Sequence, residues 1–325
     1  MSKIKRVAVL TSGGDAPGMN AAVRAVTRAA IFNGMEVYGI MRGYEGMIQG
    51  EFKKLESQDV SGIIQKGGTI LKTARSARFR TPEGRQEAYE NLKRYEIDAV
   101  VVIGGDGSFT GASIMSQEFN IPCIGIPGTI DNDLFGTDYT IGYDTALNTV
   151  VEAVDKIRDT ASSHNRIFFV EVMGREAGFV ALESGIACGA EVIMIPEVKE
   201  QMQELREFLS KRAKLNKSSI IMVAEGDDEG GAIELSQKVQ PEFPQFDIRV
   251  TILGHIQRGG SPTCYDRVSA SRMGVAAIEA LMDDQKSIMI GLVNGQISHV
   301  PLSKTVKAHK HVRKDYLDAA HILAI

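Results

Sequence analysis

Ala99-Val-Val-Val-Ile103-Gly104-Gly-Asp-Gly-Ser108 joins an unbroken apolar run to a glycine-rich turn that carries one carboxylate. The run has no polar alternation, so it reads as a strand buried on both faces, as in parallel sheets covered by helices. Glycines let backbone N–H groups approach a phosphate closely, and a following helix adds its positive N-terminus. The same construction recurs. Val7-Ala-Val-Leu10 runs into Thr11-Ser-Gly-Gly-Asp-Ala-Pro-Gly-Met-Asn20, and Ile121-Pro-Cys-Ile-Gly-Ile126 into Pro127-Gly-Thr-Ile-Asp-Asn-Asp133.

Working outward, strands and helical patterns alternate along the chain. A helix is expected from about Met19 to Phe32, a strand over Val37–Ile40, and a helix from Thr145 to Ser162, whose apolar residues recur at helical spacing. The pattern then restarts with strands over Ile167–Met173, Glu191–Ile195, Ile220–Ala224 and Arg249–Leu253. Met202 to Leu215 and Asp266 to Met282 read as helices, Ser287 to Val293 as a strand, and Tyr316 to Leu323 as a last helix. Such alternation predicts an α/β fold with mainly parallel sheets. Two series predict two domains, which 325 residues also suggest.

Composition narrows the function. With 43% hydrophobic and 24% charged residues the chain is ordinary globular material, and a net charge of −4 offers no basic field for nucleic acid. No run approaches 18 apolar residues, so no membrane span is expected, and the N-terminus lacks a signal peptide's apolar region. Cys123, Cys188 and Cys264 lie far apart without metal-ligand spacing; the first two read as core thiols, which fits a reducing cytoplasm.

The turns carry the chemistry. Polar groups beyond a strand's carboxyl end sit where open α/β sheets bind ligands. Asp131 there can accept a proton from a substrate hydroxyl or hold a metal; a capped turn is the alternative. Asp106, wedged between glycines, would repel a phosphate unless a cation intervened, which points to Mg²⁺; a helix N-cap is the alternative. Gly105-x-Gly107-x-x-x-Gly111 misses a dinucleotide fingerprint by one residue, and Gly67-Gly-Thr-Ile-Leu-Lys72-Thr73 lacks the glycine that precedes the lysine of a Walker loop. Arg75, Arg166, Arg175, Arg249 and Arg258 recur near turns and strand ends, where planar guanidinium forks suit phosphate oxygens.

Five motifs together resemble bacterial ATP-dependent 6-phosphofructokinase, in that family's order. They are Leu10-Thr-Ser-Gly-Gly-Asp-Ala-Pro-Gly-Met-Asn-Ala21, Val102-Ile-Gly-Gly-Asp-Gly-Ser108, Pro127–Asp133, Glu171-Val-Met-Gly-Arg175 and Leu253-Gly-His-Ile-Gln-Arg-Gly-Gly-Ser-Pro262. The resemblance implies two similar Rossmann-like three-layer domains, an ATP-binding one of 1–141 plus 256–305 and a fructose-6-phosphate-binding one of 142–255 plus 306–325. It implies a cytoplasmic homotetramer that moves the γ-phosphoryl group of ATP to the 1-hydroxyl of fructose 6-phosphate in glycolysis.

Carried over by motif, Asp131 is the base, supported by Thr129 and Asp133. Gly14, Arg75, Ser76, Gly105, Asp106, Gly107 and Ser108 hold ATP, with Asp106 on Mg²⁺. Arg175 neutralises the moving phosphoryl group, with Arg75 as a second cation. Ile130, Met173, Gly174, Glu225, His255, Ile256, Gln257 and Arg258 join Thr129 and Asp131 around the sugar phosphate. Arg166 and Arg249 are expected to reach across from a neighbouring subunit.

Pyrophosphate-dependent members of the family typically carry Asp at the position of Gly107 and Lys at that of Gly128, so the sequence resembles the ATP type. The family's effector site for ADP or phosphoenolpyruvate maps to Arg24, Arg28, Arg158, Gly189, Glu191 and Lys214. It departs from the pattern at Ser57, Gly62, Asn216 and Ser218, which predicts weakened control. Phe179 stands where the family commonly has Asp. A pyrophosphate-dependent enzyme and a non-catalytic sugar-phosphate sensor are the alternatives.

Overall fold

The computed structural model describes residues 4–161, 166–199, 201–213 and 218–323. In chain order the elements are β1 (Arg6–Thr11), α1 (Met19–Phe32), β2 (Glu36–Ile40), α2 (Gly43–Gln49), β3 (Phe52–Leu55) and α3 (Pro82–Arg94). Then come β4 (Ala99–Gly104), α4 (Asp106–Phe119), β5 (Cys123–Pro127), α5 (Tyr143–Ala161), β6 (Arg166–Val172) and α6 (Phe179–Cys188). They are followed by β7 (Val192–Met194), α7 (Gln201–Ala213), β8 (Ser219–Ala224), α8 (Ala232–Val239) and β9 (Asp247–Ile252). The chain closes with α9 (Cys264–Met282), β10 (Ile288–Val293), β11 (Gln296–Pro301), α10 (Leu302–Thr305) and α11 (Lys314–Leu323).

The chain divides into two compact units. One comprises residues 1–130, 134–145 and 258–310; the other comprises 131–133, 146–257 and 311–325. The first holds a seven-stranded sheet in the order β11-β10-β5-β4-β1-β2-β3. Its core strands pair parallel, while β3 and β11 run antiparallel at the two edges. All six residues of β4 are buried, as its uninterrupted apolar run predicts. Along β1, Ala8 and Leu10 join a core with Tyr44, Leu92 and Phe109, and the oppositely directed Val7 and Val9 are just as buried, so both sheet faces are covered. The second unit's sheet is smaller and wholly parallel, in the order β7-β8-β6-β9. The two units share the strand–helix–strand construction but not the strand count.

The edge strands β3 and β11 are absent from the sequence reading. Phe52-Lys-Lys-Leu55 is short and charged, and Gln296-Ile-Ser-His-Val-Pro301 is polar and half exposed, so neither has a periodicity that stands out. For β11 a local cue exists. Asn294-Gly295 sits between the strands with φ of 51° and 73°, the pair of left-handed residues that a two-residue hairpin turn requires.

The strand order of the first unit contains a switch point. From β1 the chain moves to β2 on one side, then returns to β4 on the other, so the order reverses between β1 and β4. Open α/β sheets bind ligands at the carboxyl ends of strands at such a point. The loops after β1, β4 and β5 are the three glycine turns singled out above. Among the described residues no helix is long and apolar enough to cross a membrane.

Two of the three thiols lie in the core, and burial pushes Cys123 up to about 12 and Cys188 to about 11. A thiol reagent acts on the thiolate, so at neutral pH the native protein should react fast at Cys264 at most, and at three cysteines once denatured. Rapid native labelling of Cys123, read by peptide mass spectrometry, would contradict this packing.

Candidate active site

Within the first unit the three glycine loops converge. The amide of Ser12 donates to the Ile103 carbonyl and that of Gly128 to the Gly104 carbonyl. A Cβ built on Gly105 would lie 3.6 Å from Thr129 Cβ, and one on Gly13 3.6 Å from Ser108 Oγ. Asp106 begins α4, with its carboxylate exposed at the helix N-terminus. Around Gly107 an added Cβ would meet nothing within 4 Å, so the loop opens to space there. Gly128 is tighter, with Ile103 Cγ2 at 3.1 Å and Met19 Cε at 3.2 Å. Gly14 abuts Arg258, whose Nη1 stands 2.0 Å from where a Cβ would be. Arg75 is exposed, and Ser76 Oγ donates to Glu45 Oε2 at 2.6 Å.

Within the second unit Asp131 has 1% of its side chain exposed, and Arg175 Nε stands 3.3 Å from its Oδ2. Arg175 comes from the turn after β6 and adopts a left-handed φ of 56°, following Gly174 at φ 151°. The turn is braced from β8. Glu225 Oε1 accepts from the amides of Gly174 at 3.2 Å and Arg175 at 2.8 Å. The next residue, Gly226, lies so close that a Cβ would fall 1.8 Å from the Arg175 carbonyl oxygen. Gln257 completes the frame, accepting from Met173 N at 3.2 Å and donating to Gly254 O at 3.0 Å. His255 and Ile256 are exposed beside it, and Asp133 lies in the Asp131 segment.

Arg166 and Arg249 stand apart from this frame. Arg166 begins β6, Arg249 is the third residue of β9, and both pair with Asp247, at 2.8 Å and 2.9 Å, which holds that carboxyl below its ordinary range, Arg166 first and Arg249 after it. The Met173–Arg175 turn follows the other end of β6, about 20 Å along the strand from Arg166 and about 17 Å from Phe168, opposite which Arg249 lies, at ~3.3 Å per strand residue. One second unit does not bring them together.

Of the effector positions, Arg24 and Arg28 lie one turn apart on α1; desolvation, then Arg28, lowers the Arg24 pKa. Arg158 donates to the carbonyls of Cys188 and Gly189 at 2.8 and 2.9 Å. Glu191 is occupied within its own unit, by Arg212 at 3.0 Å and the Ile220 amide at 2.8 Å. Ser57 and Gly62 are exposed, and Lys214 and Asn216, like Ser162 and Leu215, lie outside the described residues. Phe179 is buried at the start of α6, where Glu197 accepts from the Gly178 amide through both oxygens at 2.9 and 3.1 Å. A carboxylate therefore reaches this helix N-terminus from elsewhere in the chain.

Several supports of the site escape sequence reading. Tyr44 donates its hydroxyl to the Ser108 carbonyl while its ring stacks on Phe79 at 3.9 Å. Thr140 Oγ1 donates to the Thr129 carbonyl at 2.6 Å. Each acts across a gap in sequence and belongs to no local pattern.

The fold is that of an α/β protein with glycine loops at strand ends in one unit and a buried acid against an arginine in the other. The chain belongs to the phosphofructokinase family, whose model, Phosphofructokinase, matches residues 6–281. It is 60% identical, over the whole of both chains, to the ATP-dependent 6-phosphofructokinase 2 of Bacteroides thetaiotaomicron. With the ATP-dependent 6-phosphofructokinase 1 of Thermus thermophilus it shares 54% over 99% of this chain and 100% of that one. A solved structure of phosphofructokinase from Saccharomyces cerevisiae superposes with a TM-score of 0.89 at 36% identity, covering 98% of this chain and 47% of that one. A pyrophosphate-dependent phosphofructokinase from Marinobacter aquaeolei superposes at 0.85 with 24% identity over 99% of this chain and 92% of that one, and shows the fold.

Gly226→Ala should force the Arg175 carbonyl aside and spoil the aim of Arg175 at Asp131. A misplacement of ~1 Å at reacting groups can cost ~100-fold in rate. Activity near the parent's in a folded Gly226→Ala protein would contradict that role for the turn.

Proposed function

We propose that this chain transfers the γ-phosphoryl group of ATP to the 1-hydroxyl of fructose 6-phosphate, giving fructose 1,6-bisphosphate and ADP, a step of glycolysis in the cytoplasm. The observation that carries the reading is the buried Asp131 carboxylate with the Arg175 guanidinium at 3.3 Å, in a chain 60% identical to an ATP-dependent 6-phosphofructokinase. Phosphoryl transfer needs positioning, an oriented nucleophile and charge neutralisation rather than covalent catalysis.

In this reading the first unit takes ATP. The amides of Gly105 to Ser108 and the start of α4 face its phosphates, with Gly14, Arg75 and Ser76 beside them. Mg²⁺, when bound, would offset the charge of the phosphates. Asp106 is the carboxylate that would hold it; exposed at the helix N-terminus beside the open space at Gly107, it suits a metal carried mainly by nucleotide and water. Among the described residues no group of three or more His, Cys, Asp or Glu forms a metal cage of its own.

The second unit takes the sugar phosphate. Met173, Gly174, Glu225 and Gln257 contact it, and His255 and Ile256 face its 6-phosphate. Asp131 accepts the proton as the hydroxyl oxygen bonds to the γ-phosphorus and the bond to the ADP oxygen breaks. Thr129 and Asp133 support Asp131, and Arg175 offsets the charge on the moving group. Arg166 and Arg249 serve the site of a neighbouring subunit in a homotetramer, a reading supported by their distance from Met173–Arg175 within one chain.

ATP is favoured over pyrophosphate by glycine at 107 and 128, one open and one tight. Control by ADP or phosphoenolpyruvate is weakened: Glu191 is engaged by Arg212, Ser57 supplies no cation and Gly62 no carboxylate. Each charge-assisted hydrogen bond so lost removes about 1.5–3 kcal/mol.

ADP release measured with ATP, Mg²⁺ and fructose 6-phosphate tests the reading; turnover with pyrophosphate but not ATP, or tight binding without turnover, would end it. Asp131→Asn should leave substrate binding nearly intact and lower kcat by about 10²–10⁴-fold, the usual scale for a positioned base. Gly107→Asp should fold and raise KM for ATP ~10-fold or more, since a like charge about 6 Å away costs about 3 kcal/mol at an effective dielectric of ~20, and less where water screens it. Fructose 6-phosphate saturation should be near hyperbolic, and a strongly sigmoidal curve relieved by micromolar ADP would contradict weakened control.

A further inference from the structure

Asp266 is 1% exposed in the first turn of α9, and no step of the proposed reaction uses it. Its carboxylate meets three donors at the start of α5. Oδ1 accepts from the Gly142 amide at 2.8 Å, and Oδ2 accepts from the Thr145 amide at 2.9 Å and from the Thr145 hydroxyl. The two helix starts are tied reciprocally. Thr263 Oγ1 caps α9 by accepting from the Asp266 amide and donates to Asp144 Oδ2 at 2.6 Å, while the Thr263 amide donates to Thr145 Oγ1 at 3.0 Å. Burial pushes the Asp266 carboxyl up to about 6, Thr145 and Gly142 opposing and Asp144 adding to the push, so the buried anion depends on these donors.

The strap held this way leads straight to the catalytic segment. One residue before Gly142, the Ile141 amide donates to the Pro127 carbonyl at 2.8 Å, and Ile141 bridges Gly128. Thr140 Oγ1 donates to the Thr129 carbonyl at 2.6 Å, fully buried. On its other side the strap is walled by the loop after β1. A Cβ on Gly18 would lie 2.7 Å from Ile141 Cγ2 and 3.5 Å from Asp266 Cβ, and one on Gly142 would lie 2.6 Å from Ala16 Cβ. The strap has no room to shift without moving Pro127–Thr129 or the β1 loop.

We propose that Asp266 is a positioning residue: by anchoring Gly142 and Thr145 it clamps the Thr140–Thr145 strap onto the Pro127–Thr129 backbone and so fixes where the next residues, ending in Asp131, are held. The inference rests on the phosphoryl-transfer reading above. An ordinary helix cap would be felt in stability alone. A clamp on the base segment is felt in kcat.

Asp266→Asn keeps the size but turns one acceptor oxygen into a donor facing the donors at Gly142 or Thr145. The full-length variant should lose roughly 10–100-fold in kcat at saturating substrates, the scale of a sub-ångström to ångström misplacement. KM for ATP and fructose 6-phosphate should stay within about threefold, a split that marks an interaction felt in the transition state. Amide hydrogen exchange of the peptide spanning 127–133 should quicken. Thr140→Val cuts the far end of the same clamp and should move both readouts the same way; should Asp266→Asn fail to fold, this variant decides alone. Parent-like kcat in folded Asp266→Asn or Thr140→Val, a loss confined to KM, or unchanged exchange over 127–133 would overturn the proposal. A parent that releases no ADP would sink the phosphoryl-transfer reading instead, while the exchange measurement, which needs no turnover, still decides the clamp.

Discussion

A carboxylate held out of water beside a guanidinium is the constraint on which the site depends. Asp131 is almost wholly buried, whereas Arg175, 3.3 Å away, keeps more than half of its side chain exposed. A buried carboxylate is tolerated when paired, and here the partner is the residue that the proposed reaction turns toward phosphate. The arrangement asks for accuracy rather than strength. The arginine's backbone occupies an uncommon left-handed conformation, which the surrounding structure must hold.

That conformation is held from behind. Glu225 collects the two amides that the Gly174–Arg175 turn exposes, and Gly226 lets the strand end approach the Arg175 carbonyl within a distance no side chain would permit. In the first unit the glycine loops are held by a different set of supports. Backbone bonds join Ser12 to Ile103 and Gly128 to Gly104, Tyr44 holds the Ser108 carbonyl, and Thr140 holds that of Thr129. The residues assigned to chemistry lie on turns; those that fix the turns come from strands and helices distant in sequence.

This division accounts for what was legible beforehand. Strands β1, β4 and β5 are wholly or almost wholly buried, so their apolar runs announced them. Asp131 and Arg175 could be singled out because each lies in a local motif. Asp266, Tyr44, Thr140 and Glu197 could not, because a lone acid, tyrosine or threonine gains meaning from a partner that may be 64 or 124 residues away. The edge strands escaped because half of each faces solvent and little periodicity survives. The separation of Arg166 and Arg249 from the Arg175 turn depends on which end of a strand a residue occupies, and the sequence order of Arg166, Ile167 and Arg175 already contained it.

The central claim is that Asp131 and Arg175 act as one unit, and a double-mutant cycle in kcat tests it most directly. Asp131→Asn, Arg175→Ala and the double variant would be compared at saturating ATP, Mg²⁺ and fructose 6-phosphate. Residues that act together show losses far short of multiplicative. The account predicts that the double variant is slower than the worse single variant by no more than about tenfold. A double loss equal to the product of the two single losses would mean that acid and arginine work independently, and would contradict the account.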